Sequence, residues 1–258
     1  MNHSKRHGEI LRLVREEGTI SIADLAARLD VSLETVRRDV KPLTNDGSVL
    51  KMHGAIGLPS LAGEAPFERR MRENADAKRA LARHIAATIR DGESVMLDTG
   101  TTTSFLAREL LGHRRLTVVT NSSDIARTLA TVNGNKVYMA GGELRSDSGA
   151  AFGASAIEFV SRFSVNHAVI TAGAVDASTG IMDYDLDEAE FARMVVSRGM
   201  RALVATDHSK FGRQGLVKVC SFSGFHELVT DRMPPRDVAA AINEAGIKLT
   251  IAGGQSIT

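Results

Sequence analysis

Along the first third of the chain the apolar residues keep a helical beat and then lose it. Ile10, Leu11 and Val14, then Ile22, Leu25, Ala26 and Leu29, then Val36, Val40 and Leu43 return every three or four positions, so each run has one face to bury. This predicts a helix over residues 4–17 and two short helices within residues 20–43. Ser4, Ser21 and Ser32 stand where a hydroxyl can accept the unpaired N–H groups of a helix start. Gly18 stops the first helix, and Asp30-Val31 makes the turn between the other two. After the turn signal Asp46-Gly47, Ser48-Val-Leu-Lys-Met and His53-Gly-Ala-Ile read as short extended runs. Three helices followed by a hairpin make a winged helix-turn-helix.

The polar half of the same pattern carries the first candidate chemistry. With Val36, Val40 and Leu43 turned inward, Glu34, Thr35, Arg37, Arg38 and Lys41 face outward on the third helix. In a helix-turn-helix that helix lies in the DNA major groove, and the fork of an arginine can grip a guanine edge or a phosphate. The residues assigned to DNA are therefore Ser32, Glu34, Thr35, Arg37, Arg38 and Lys41, with Lys51 and His53 on the wing.

Two prolines and two glycines over residues 57–66 exclude a regular element there. Residues 67–90 read as one long helix, charged at its start and apolar later at Ala77, Leu81, Ile85 and Ile89. From Glu93 onward short apolar runs (95–97, 117–119, 136–139, 168–170, 202–205) alternate with helical ones (104–111, 124–130, 154–162, 187–197). Such alternation predicts a parallel sheet covered on both faces. Residues 217–222, 227–229 and 248–251 are further strand candidates, and residues 235–245 a late helix. The expected division is a DNA-binding domain over 1–57, a linker with the start of a connecting helix over 58–76, and an α/β domain over 77–258.

Composition adds bounds. A chain of 258 residues that is 43% hydrophobic has ample material for two cores. The net charge of +1 hides any local basic patch, so it does not bear on DNA binding. A single cysteine, Cys220, cannot form an internal disulfide, which fits a reducing compartment. No apolar run approaches a membrane span and no signal-peptide core is visible, so a cytoplasmic location is expected. No Cys/His spacing suggests zinc, and neither a metal nor a cofactor is expected.

Ligands of open α/β sheets bind beyond the carboxyl ends of the strands. The first strand is followed by Asp98-Thr-Gly100-Thr101-Thr102-Thr103 and a helix, where hydroxyls beside a helix N-terminus make an anion site suited to phosphate. Later strands end in Thr120-Asn121, in Gly141-Gly142 with Arg145 nearby, in Thr171-Ala-Gly173, and in Thr206-Asp207-His208-Ser209-Lys210. These polar and glycine-rich ends describe a pocket for a small polyhydroxylated anion. Arg145 and Lys210 are its candidate cations, and Asp98, Asn121 and Asp207 its hydroxyl partners.

Taken in order, Arg37-Arg38-Asp39, the wing with His53-Gly54, Asp98-x-Gly-Thr-Thr-Thr, Thr120-Asn121, Gly141-Gly142 and Asp207-x-Ser-Lys210-Phe-Gly resemble the DeoR family of bacterial transcriptional regulators. The resemblance runs from about Ser4 to Ile251. Ala140-Gly-Gly-Glu-Leu-Arg-Ser and Asp207-His-Ser-Lys-Phe-Gly-Arg are most similar to its glycerol-3-phosphate branch. It implies a sensor domain related to ribose-5-phosphate isomerase, a phosphorylated sugar or polyol as effector, repression of a catabolic operon relieved by that effector, and a homodimer or homotetramer. One departure is visible: where many members carry a lysine after Glu-Ala-Glu, this chain has Ala192 and then Arg193. A sugar-phosphate isomerase with a DNA-binding appendage is the alternative. Glu143, Asp187, Glu188 and Glu190 are its candidate carboxylates, but no base is paired with an evident proton donor, so no catalytic residue is assigned.

Overall fold

The structure is a computed structural model that describes residues 3–45, 48–52, 54–57 and 64–253. It divides into two compact units, residues 1–65 and 66–258. Most of the linker region, residues 58–63, and the Asp46-Gly47 turn signal lie outside the described residues.

The first unit is a winged helix-turn-helix. Helix α1 (His3–Glu17) is followed by strand β1 (Thr19–Ser21), helices α2 (Ile22–Leu29) and α3 (Leu33–Asn45), and strands β2 (Leu50–Met52) and β3 (Ala55–Gly57). Ser21 caps α2 by accepting from the Asp24 N–H, and Asp30 ends it in the left-handed region at φ 51°. Ile10, Val14, Leu25, Val36, Val40, Leu43, Val49 and Ile56 fill the core. Two expectations need correction. Helix α1 begins at His3, which places Ser4 inside it rather than at its cap. Ile20 is a strand residue paired with Ile56, in an antiparallel sheet of order β1-β3-β2.

The second unit is built on a seven-stranded parallel sheet. It opens with helices α4 (Phe67–Arg70) and α5 (Ala75–Ala86). Then β4 (Ser94–Leu97), α6 (Thr101–Glu109), β5 (Thr117–Thr120), α7 (Ser123–Leu129), β6 (Lys136–Met139), α8 (Ala154–Ser161) and β7 (Val165–Thr171) alternate. A hairpin, β8 (Ala174–Asp176) and β9 (Gly180–Asp183), precedes α9 (Leu186–Arg198), β10 (Gly199–Ala205), β11 (Val217–Cys220), β12 (Glu227–Thr230), α10 (Arg236–Glu244) and β13 (Lys248–Ile251). The large sheet runs β13-β12-β10-β7-β4-β5-β6. Successive residues of its strands serve opposite faces. Val95, Leu97, Val169 and Leu203 pack with Leu81 and Ile85 of α5, Leu106 of α6 and Ile125 of α7. Met96, Ala168, Ile170, Ala202 and Val204 pack with Val160 of α8, Phe191 and Val195 of α9 and Ile242 of α10. Period two inside and period three to four outside bring both sets of apolar faces together.

The structure differs from the sequence reading in three places here. The long helix expected over residues 67–90 is broken into α4 and α5 at residues 72–74, with Asn74 in the left-handed region at φ 51°. The hairpin β8–β9 was not expected. Strand β11 pairs with β9 in a separate three-stranded antiparallel sheet instead of extending the large one. Among the described residues no helix is long and apolar enough to cross a membrane.

Candidate functional site

Helix α3 presents the DNA-facing candidates as its pattern requires. Thr35 donates its N–H to Ser32 Oγ at 3.2 Å, and the two hydroxyl oxygens lie 2.9 Å apart. Val36, Val40 and Leu43 are buried, while Ser32, Glu34, Arg37, Arg38 and Lys41 are exposed and Thr35 is half-buried. Arg37 lies 3.8 Å from the Glu34 carboxylate, a loose and solvated pair. Lys51 is exposed on β2, and His53 lies outside the described residues. The sequence reading missed Asp39. It is fully buried and accepts from Arg6 Nε of α1 at 2.7 Å, which ties the reading helix to its scaffold. The signal was present: Asp39 stands at a stripe position, between Val36 and Val40, where only a paired charge can be tolerated. Leu33, the first residue of α3, is 45% exposed and was also missed.

In the second unit the parallel sheet puts every strand end of interest on one edge. Strands β10, β7 and β4 are neighbours, so their ends span about 10 Å at the usual strand spacing. Asp98 follows β4 and is buried. Its Oδ2 accepts from the Thr171 N–H at 2.9 Å, and among the described residues Oδ1 has no partner. Burial pushes the Asp98 carboxyl well above the usual range against the bond from Thr171, and the nearby Asp183 and Glu188 push it further. Asn121 Oδ1, beyond β5, and Thr206 Oγ1, beyond β10, are likewise buried and without a partner among the described residues. Buried polar atoms of this kind are uncommon and call for an explanation.

The threonine run opens α6, whose first turn has no side-chain cap. Its unpaired N–H groups and the helix dipole therefore favour an anion there. Thr103 is engaged, donating to the carbonyls of Asp98 and Gly100 at 2.9 and 3.0 Å. Gly100 is extended at φ 177°, so no left-handed turn calls for glycine there. A Cβ there would lie 2.5 Å from Thr171 Oγ1, so glycine is required by close approach. Gly141 and Gly142 are exposed beyond β6, and Gly142 has φ 146°. The Gly173 N–H is spent on the Met182 carbonyl at 3.1 Å.

The cationic side of the edge differs from the expectation. Arg145 is held by Asp185 at 2.8 Å, Asp187 at 3.0 Å and Glu188 at 3.2 Å, and its guanidinium covers the Phe152 ring at 4.3 Å. It braces its loop against the start of α9 through these three carboxylates. Ala192 is core, and Arg193 donates to the carbonyls of Val219 and Lys218. The cation that the sequence reading missed is Lys78 of α5, only 3% exposed. Its Nζ donates to the carbonyls of Arg70 and of Glu73, the latter at 2.8 Å. Burial lowers its pKa to about 8; Asp207 opposes that shift, and Lys210 and Arg70 reinforce it. Asp207 accepts from Asn74 Nδ2 at 2.9 Å and from the Ser209 N–H at 3.0 Å. Burial disfavours its charge, but the bonds from Ser209 and the fields of Lys210 and Lys78 outweigh this and hold the carboxyl below its usual value.

A winged helix-turn-helix joined to an α/β unit with an anion-suited strand edge defines a DNA-binding regulator with a ligand-sensing half. Residues 6–61 match the DeoR-like helix-turn-helix domain, and residues 73–232 match the DeoR C terminal sensor domain. The chain belongs to the DeoR family of transcriptional repressors. It is 31% identical over 251 residues to the glycerol-3-phosphate regulon repressor of Escherichia coli K12, covering 97% of this chain and 100% of that one. It is 32% identical over 246 residues to the transcriptional repressor CsqR of the same organism, covering 95% and 94%. Among solved structures it is similar to ribose 5-phosphate isomerase A from Methanocaldococcus jannaschii, with a TM-score of 0.41 and 17% identity over 55% of this chain and 56% of that one.

Proposed function

We propose that the strand edge of the second unit binds a small phosphorylated polyol or sugar, and that this ligand releases the winged helix-turn-helix from operator DNA. The observation that carries the reading is the polarity of the edge. The edge offers the uncapped start of α6 with Thr101 and Thr102 and the cations Lys78 and Lys210. Along the same edge stand Asp98, Asn121 and Thr206, each with a buried oxygen without a partner among the described residues. A phosphate fits the first group and hydroxyls fit the second. The partnerless Oδ1 of Asp98 can pair with a ligand hydroxyl. Glycerol-3-phosphate is the first compound to try, given the name of the relative from Escherichia coli.

On this reading Arg37, Arg38 and Lys41 hold operator phosphates or guanine edges, Thr35 reaches a base edge, and Leu33 suits a thymine methyl. Lys51 and His53 serve the backbone beside the wing. The protein acts in the cytoplasm as a homo-oligomer on a two-fold operator, since paired reading heads match palindromic half-sites. It is a regulator without a reaction of its own: Asp187 and Glu188, two of the candidate carboxylates, are occupied with Arg145.

Thermal unfolding against a panel of phosphorylated sugars and polyols tests the reading. A compound present at about a hundred times its Kd stabilises the native state by roughly 2.7 kcal/mol. The expected result is a shift with one phosphorylated compound, none with its unphosphorylated parent, and loss of the shift in Thr102→Val. No shift across the panel sinks the phosphate site.

A further inference from the structure

The one long element misread from sequence lies against the candidate pocket. Residues 67–86 contain neither glycine nor proline and carry a helical pattern throughout, yet the helix breaks at residues 72–74. Asn74 takes a left-handed conformation, φ 51° and ψ 34°, that disfavours most residues and that asparagine tolerates best after glycine. A strong local preference overruled at one point marks either strain or function.

The bonds that hold the break open are specific. Asn74 Nδ2 donates to Asp207 Oδ1 at 2.9 Å. Lys78 Nζ donates to the carbonyls of Arg70 and Glu73. In a continuous helix those two carbonyls would accept from the N–H groups of Asn74 and Ala77 instead. Lys78 and Asp207 thus do two jobs. They belong to the charged end of the pocket, and they fasten the turn through which the chain enters this unit from the linker at Pro66.

We infer that Asn74, Lys78 and Asp207 form a latch that keeps α4 and α5 apart, and that a phosphate in the pocket undoes it so that the two join into one helix. The inference rests on the phosphate site proposed above. A phosphate is a doubly charged acceptor and competes for the Lys78 ammonium more strongly than a neutral carbonyl does. It also repels the Asp207 carboxylate, which loosens the bond to Asn74. The turn then loses its three fastenings, and the helical preference of residues 67–86 prevails. A continuous helix of that length spans about 30 Å and re-aims Pro66, where the linker ends. The ligand thereby biases a two-state element that leads to the DNA-binding half, as coupling between distant sites requires.

Amide hydrogen exchange on the full chain tests this, with inorganic phosphate as the probe and chloride of equal ionic strength as the control. Phosphate is raised until its stabilisation of the protein levels off. The amides of residues 74–77 are expected to exchange at least about tenfold more slowly with phosphate, because each gains a helical partner. Asn74→Ala, which favours the helix, is expected to show that protection without phosphate. Asn74→Gly, which keeps the left-handed turn, is expected to leave exchange fast without phosphate. Stabilisation by phosphate with unchanged exchange at 74–77 overturns the latch and leaves the pocket standing. Absence of any stabilisation overturns the pocket and the trigger together, and the two asparagine variants still report whether the break is bistable.

Discussion

Lys78 and Asp39 teach the same lesson. Each is a charged residue at a stripe position of an apolar helix face: Asp39 beside Val36, Val40 and Leu43, and Lys78 in line with Leu81, Ala82 and Ile85. A charge that the helical period sends inward must find a partner there, and each does. Lys78 also makes a pH prediction with two opposite signs. Its pKa of about 8 lies below the ordinary lysine value of 10.5. Between those values the unfolded chain holds a proton that the native one has shed, so stability of the ligand-free protein should rise as pH climbs through that window. If a phosphorylated ligand pairs with this ammonium, as proposed, its affinity should fall above pH 8, approaching tenfold per unit. Titration calorimetry and thermal unfolding from pH 7 to about 10 would read both trends. Lys78→Met should abolish both, and a flat affinity profile in the unaltered protein would remove Lys78 from the site.

Among elements, the β4–α6 turn shows packing setting the sequence. Gly100 is extended, and any side chain there drives into Thr171 at the end of β7. Gly100→Ala should cost about 1–3 kcal/mol as an overpacked site. Gly141→Ala, where a Cβ meets nothing within 4 Å, should stay within about 0.5 kcal/mol. Equal denaturant midpoints for the two variants would contradict the close-approach account. The same contrast explains which elements were readable. The strands of the large sheet and the helices that cover them repeat their period over enough residues to be recognised. Strands β1 and β8 have three residues each, too few for a period to show. Their existence depends on partners: Ile20 pairs with Ile56, and Val175 with Ile181.

For the molecule as a whole, the proposed function makes repression and sensing two binding equilibria of one chain, whose coupling must be reciprocal. If the ligand weakens operator affinity by some factor, the operator must weaken ligand affinity by the same factor, with about 5- to 150-fold the usual range. Fluorescence anisotropy on labelled operator with and without ligand, and ligand titration with and without operator, should return one number. Two different factors would show that the release is not a two-state linkage.

The winged helix-turn-helix, the parallel sheet with its covering helices and the polar strand ends were legible in the chain, because each follows from side-chain spacing within a window of a few turns. The exposed arginines of α3 and the run Asp98 to Thr103 belong to that group. The break at residues 72–74, the roles of Lys78 and Asp39 and the engagement of Arg145 were not. Asn74 meets Asp207 across 133 residues, Arg145 meets Asp185 across 40, and Arg6 meets Asp39 across 33. The energy of such pairs exists only once the chain has folded. It is large enough to overrule a local helical preference, and no local window contains it.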